Sequence, residues 1–144
     1  MLNTERLDKI KAAQINPVTL AFLGDAVYSL YVREQLVKSG TGKAADLQRA
    51  ASKVVSAKGQ SAFLERVLPT LSQEDEEIYR RGRNATKATK SKSASVAEYS
   101  RSTGFEAVLG YLYLIGESER INELLSMIDE TQLQGIAAEK VYKP

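Results

Sequence analysis

The 144-residue chain has no cysteine and no histidine. Without cysteine there is no disulfide, no thiolate metal site and no cysteine nucleophile, and a reducing compartment is compatible. Without histidine, a Ser-His-Asp triad, an imidazole metal ligand and an imidazole base are all excluded. Catalytic chemistry here must come from carboxylates, Lys, Arg, Tyr, hydroxyls and a hard, oxygen-liganded cation such as Mg²⁺. Long apolar runs are missing too. The segment from Pro17 to Val32 is interrupted by Gly24 and Asp25 and is too short for a membrane span. The N-terminus lacks the apolar core of a secretory signal, so a cytoplasmic protein is expected. There is no internal repeat, no Gly-rich phosphate loop and no alternating strand pattern.

What is present is helical periodicity. With 43% hydrophobic residues the chain can bury one core. We expect a single all-α domain over residues 1–130 and a partly disordered tail over 131–144. A short surface helix is expected from Thr4 to Gln14, carrying Leu7, Ile10 and Ala13 on one side. Asn16-Pro17 supplies an N-cap and a first-turn proline for a long helix to about Lys38, apolar enough to be covered on both faces. Further helices are expected at Ala44–Ala51, at Ser56–Leu68 beyond a bend near Val55, and after the Ser72 cap. The last two are expected at Val96–Ile115 and Glu117–Asp129. Gly24 inside a helix costs about 1 kcal/mol relative to alanine, which points to close approach by a neighbouring helix.

Two acids stand out. Between Lys11 and Arg33 the only charged side chain is Asp25, and between Ser102 and Gly116 the only one is Glu106. A buried, unpaired carboxylate is penalised by several kcal/mol, so each needs a partner. That partner is either an Arg or Lys from another helix or a shared metal ion. Small neighbours, Gly24 and Ala26 beside one and Gly104, Ala107 and Gly110 beside the other, leave room for an ion. A third feature is charge segregation. Residues 78–97 contain Arg80, Arg81, Arg83, Lys87, Lys90 and Lys92 and no acid, although the whole chain carries a net charge of only +2. This segment reads either as a solvated loop or as a phosphate-contacting element. Together the acids and the basic segment suggest metal-assisted phosphodiester hydrolysis.

The residues also carry a family resemblance. Phe-Leu-Gly-Asp-Ala-Val at 22–27 and Gly-Phe-Glu-Ala-Val-Leu-Gly-Tyr-Leu-Tyr-Leu at 104–114 resemble the two signature helices of the ribonuclease III catalytic domain. The likeness runs from about Asn16 to Met127. Val-Ser-Ala-Lys at 55–58 and Arg-Gly-Arg-Asn-Ala at 81–85 resemble the compact Mini-ribonuclease III subfamily, which has the catalytic domain alone.

The resemblance implies the ribonuclease III endonuclease fold and a homodimer that cuts double-stranded RNA with Mg²⁺. For the subfamily it implies maturation of 23S ribosomal RNA precursors, with ribosomal proteins on the precursor as further candidate partners. Asp25 and Glu106 match the family's catalytic, metal-binding acids, and Phe22 matches an aromatic at the dimer interface. Products would carry 5′-phosphate and 3′-hydroxyl ends. Two other family acids are replaced by Ala21 and Thr103, as in the compact subfamily. Lys58, Arg80, Arg81, Arg83, Asn84, Lys87, Lys90 and Lys92 are the expected RNA contacts, favouring A-form shape over sequence. Two other readings stay open. The chain could be a catalytically silent RNA-binding relative, or an all-helical interaction dimer whose acids are structural.

Overall fold

A computed structural model of the chain describes residues 5–39, 42–85 and 95–128. Lys87, Lys90, Lys92 and the tail over 131–144 lie outside the described residues. The described elements are helices α1 (Lys9–Ala13), α2 (Pro17–Lys38), α3 (Ala44–Val55), α4 (Ala57–Val67), α5 (Gln73–Ala85), α6 (Val96–Leu114) and α7 (Ser118–Leu125). A 3₁₀ turn, Leu68–Thr70, follows α4. Among the described residues there is no strand, and no helix is long and apolar enough to cross a membrane.

Local chemistry sets the ends of these helices. The Asn16 side chain accepts a hydrogen bond from the Val18 amide at 2.8 Å, with Pro17 in the first turn. This satisfies one of the unpaired donors that every helix start leaves. Helix α1 begins later than its periodicity suggests. Asp8 caps it by accepting from the Ile10 amide, and the Leu7 amide is already bonded to the Leu114 carbonyl at 2.8 Å. Helices α3 and α4 are separated by Ser56 alone. Its backbone is extended, and its hydroxyl accepts from the Gly59 amide at 3.0 Å. Helix α6 starts in a capping box of Ser95 and Glu98. It stops at Gly116, where φ is 79° and the Glu117 amide bonds back to the Leu112 carbonyl.

Helix α6 is the hub, with α2, α4 and α5 packed around it. Its residues from Ser102 to Leu112 are buried with the single exception of Glu106. A cluster of edge-to-face rings, Tyr28 from α2, Phe63 from α4 and Phe105 from α6, has centroid separations of 5.4 to 6.2 Å. Large rings fix distances between helices, whereas glycines allow backbones to touch. A Cβ on Gly24 would lie 1.6 Å from the Glu106 carbonyl oxygen, and one on Gly110 would lie 2.0 Å from that of Leu20. On the other side of α6, a Cβ on Gly104 would lie 2.6 Å from the Tyr79 carbonyl oxygen. The glycines beside the acids therefore serve helix crossings, which is a different use from the ion space expected of them.

Helix α2 also departs from expectation. Leu20, Ala21, Gly24, Val27, Tyr28, Val32 and Leu36 are buried, but Phe22 is 83% exposed, and Val18, Leu30 and Val37 are exposed with it. One face is covered and the other is open.

Helix propensity alone would make Gly24→Ala stabilising by about 1 kcal/mol. The overlap with the Glu106 carbonyl outweighs that gain, because overpacking against backbone costs about 1–3 kcal/mol or more. Gly24→Ala is expected to lower stability by about 2 kcal/mol in urea unfolding.

Candidate active site

The Gly24 crossing decides where the two acids go. Asp25 follows the glycine on α2, and Glu106 is the residue of α6 whose carbonyl faces that glycine. Their carboxyl groups come close enough across the α2–α6 contact to influence each other directly. Asp25 is exposed and Glu106 half-buried. Both line a cleft of about 460 Å³, together with Ala21, Phe22, Gln60 and Thr103. A larger groove of about 790 Å³ lies between α2 and α7, and its only charged residues, Glu34 and Lys38, are paired with each other at 2.9 Å. Of these two, the smaller cleft is the one in which Asp25 and Glu106 meet.

The site is electrostatically loaded. Burial pushes the Glu106 carboxyl up to about 9, with the Asp25 charge and hydrogen bond adding to the rise and a hydrogen bond from Gln60 opposing it. Two adjacent carboxylates cannot both ionise cheaply, so at neutral pH Glu106 keeps its proton unless a cation replaces it. Burial, and then the Glu106 charge, also raise the Tyr28 phenol, which therefore stays neutral.

The donor set fits a hard cation. It offers the two carboxylates and the Thr103 hydroxyl, all of them oxygen ligands and none of them sulfur or imidazole, while the Gln60 amide turns its nitrogen toward Glu106. Among the described residues no cluster of three or more acids could hold a metal, so protein carboxylates would leave most coordination positions to water or substrate. The Thr103 and Ser102 hydroxyls both donate to the Tyr99 carbonyl, at 3.0 and 2.9 Å, which leaves oxygen lone pairs on Thr103. Ala21 and Thr103 both border the cleft, as the helical spacing requires.

The other expected residues are dispersed. Lys58 is exposed on the first turn of α4, with Glu98 as its charged neighbour, and it does not line the cleft. Arg80 pairs with Glu77 at 2.6 Å. The half-buried Arg81 donates to the Ala13 carbonyl at 2.7 Å, tying α5 to the end of α1. Arg83 is exposed over the Tyr79 ring at 5.6 Å, and Asn84 accepts from its Nε at 3.4 Å. Because Gly82 crosses Gly104, this end of α5 lies beside the half of α6 that bears Thr103 and Glu106. Phe22 and Val18 form an exposed apolar rim of the cleft.

Sequence reasoning missed Gln60. It is 0% exposed, and its Nε2 donates to the Glu106 carboxylate at 3.3 Å and to the Val55 carbonyl at 3.0 Å. A signal was available. Gln60 continues the buried stripe of Phe63, Leu64 and Val67 on α4, where a polar side chain needs an explanation.

The sign of the pH dependence follows from the Glu106 shift. Between the ordinary carboxylate range and about 9 the native state holds a proton that the unfolded chain has lost, so stability falls as pH rises across that window. In EDTA, urea unfolding of the wild type is expected to show this loss between pH 5 and pH 9. Glu106→Gln, which cannot ionise, is expected to show a flatter profile.

Comparison with known proteins agrees with this geometry. Residues 18–117 match the Ribonuclease III domain. A Mini-ribonuclease 3 of Symbiobacterium thermophilum is 49% identical over 109 residues, covering 76% of this chain and 84% of the relative. A Mini-ribonuclease 3 of Thermoanaerobacter is 44% identical over 125 residues, covering 87% and 88% respectively. A crystal structure of a Fusobacterium nucleatum protein superposes with a TM-score of 0.73 at 30% identity, covering 80% of this chain and 92% of that one. A carboxylate pair at the crossing of two signature helices, the matching domain and these relatives agree: the chain belongs to the ribonuclease III family, among the Mini-ribonuclease 3 proteins, and is an endoribonuclease.

Proposed function

We propose that the protein cuts double-stranded RNA with Mg²⁺ in the cleft of Asp25 and Glu106, as a homodimer of catalytic domains over residues 1–130. The observation that carries this reading is the meeting of the two carboxyls on one wall of an otherwise apolar contact. A cation bound between them would replace the proton that Glu106 keeps in its absence. Bound there, Mg²⁺ would supply a water of lowered pKa and neutralise charge on the scissile phosphate. Asp25 and Glu106 would hold it, with the Thr103 hydroxyl beside them in the cleft. Hydrolysis leaves 5′-phosphate and 3′-hydroxyl ends.

The open face of α2 supports the dimer. Phe22, at 83% exposure, is an apolar anchor on the cleft rim, and burying such a ring against a second copy contributes roughly 1.5–3 kcal/mol. Two clefts, one from each copy, would then face opposite strands of a duplex. Arg83 and Asn84 are the described residues best placed to follow the RNA backbone beside the cleft. Arg80, Lys87, Lys90 and Lys92 extend the same basic segment, Lys58 adds a charge near the start of α4, and Arg81 braces α5 from behind. Such contacts select the A-form duplex by shape. The substrate we assign is the 23S ribosomal RNA precursor in the cytoplasm, with ribosomal proteins as candidate presenters.

Two outcomes test this reading. On a labelled RNA duplex with Mg²⁺, Asp25→Asn is expected to lose cleavage by about a hundredfold or more, while circular dichroism shows it folded. Wild type that is folded and dimeric yet cuts neither generic duplex nor precursor would favour a silent RNA-binding protein. Phe22→Ala is expected to shift sedimentation toward the monomer. If it stays dimeric at the same concentrations, the partner surface lies elsewhere.

A further inference from the structure

Gln60 is unusual among the residues that line the cleft, because it is a fully buried polar side chain in an apolar helix stripe. Its two amide hydrogens point to two acceptors on different elements, the Val55 carbonyl at the end of α3 and the Glu106 carboxylate on α6. This orientation is fixed by the network. Exchanging the amide oxygen and nitrogen would set oxygen against the Val55 carbonyl oxygen, which can only accept. In the observed orientation the amide oxygen is buried and accepts no hydrogen bond from the described residues.

A purely structural role does not explain this arrangement. An apolar side chain would fill the stripe without burying an unpaired oxygen, and the Val55 carbonyl alone does not require an arm that reaches α6. The reach to Glu106 does. Glutamate has three rotatable bonds, and a ligand carboxylate that swings binds a cation poorly. One oxygen of Glu106 held by Gln60 leaves the other free to face Asp25. The anchor is itself anchored, because Val55 ends α3 at the Ser56 break, and Gly59 packs so closely there that a Cβ would lie 1.9 Å from the Lys53 carbonyl oxygen.

We propose that Gln60 is a positioning residue: its amide nitrogen straps the Glu106 carboxylate to the α3–α4 junction and thereby sets the affinity of the Asp25–Glu106 pair for a divalent cation. This rests on the metal-dependent nuclease reading given above. Residues that orient a metal ligand commonly change metal affinity or activity by 10–100-fold when removed. The strap acts on the metal ligand and not on RNA binding, so its effects separate from those of the basic residues.

The test is a comparison of wild type and Gln60→Met, which keeps the volume and loses both donors. Without RNA, thermal unfolding is followed across a MgCl₂ titration. With RNA duplex, kcat and KM are measured at fixed Mg²⁺. The expected result is a Mg²⁺ midpoint on the order of tenfold higher in Gln60→Met, a kcat lower by about the same factor, and an unchanged KM for RNA. Adding Gln60→Met to Glu106→Gln is expected to change the midpoint no further, because the strap then has no carboxylate to hold. An unchanged midpoint and kcat in Gln60→Met would overturn the proposal, as would an equal further loss on top of Glu106→Gln. If Gln60→Met does not fold, Gln60→Asn, with its shorter arm, carries the same expectation. Failure of both to fold would make the amide structural only. Wild type that responds to Mg²⁺ but cuts no duplex would overturn the nuclease reading, and the midpoints would still decide for or against Gln60. Absence of any Mg²⁺ response would overturn both.

Discussion

Contact between the backbones of α2 and α6, at Gly24 and Gly110, is the constraint on which the rest of the structure depends. At most helix contacts side chains interpose and hold axes 8–10 Å apart. Here each glycine sits against the other helix's peptide groups, so the two helices are fixed in rotation as well as in distance. That rotation turns Asp25 and Glu106 toward the same edge and sends Tyr28 and Phe105 into the core together. The Gly82–Gly104 contact repeats the device on the far side and brings the end of α5 alongside. Site and core are products of one packing decision.

This packing places an electrostatic conflict in the cleft and keeps it there. Two acids side by side, one of them half-buried, oppose each other in the folded state. Ordinary packing would relax such a conflict by letting one side chain swing into water. The crossing glycines hold the backbones, and Gln60 holds one of the carboxyls. A folded protein that keeps a proton in such a site is suited to a ligand that replaces it, and a divalent cation does so directly.

Much of this was legible in the sequence. Asn16-Pro17 marked the start of α2, Ser56 fell at the bend near Val55, and the lone acids in Leu20–Val27 and Gly104–Leu114 identified the two helices that matter. The cost of Gly24 in a helix correctly implied a close neighbour. Other parts were hidden for physical reasons. The open face of α2 has the same apolar composition as its buried face, and hydrophobicity cannot say which of the two a core will cover. Gln60 falls on the buried stripe of α4, but its role depends on Glu106, which is remote in sequence. Arg81 lies in a run of basic residues, yet it is used to hold the Ala13 carbonyl. Charge counts do not distinguish a bracing guanidinium from a solvated one.

The tight crossing also limits how such a molecule can change. Sliding α6 along α2 by a single residue would bring a side chain larger than glycine against opposing peptide groups, so the edge that bears Asp25 and Glu106 has one permitted register and no neighbouring alternatives. Adaptation to a different RNA therefore has to occur around the edge, in the short connection at Ser56 and in the end of α5. The centre behaves as a fixed die, and the borders are the adjustable jig that decides what is fed to it.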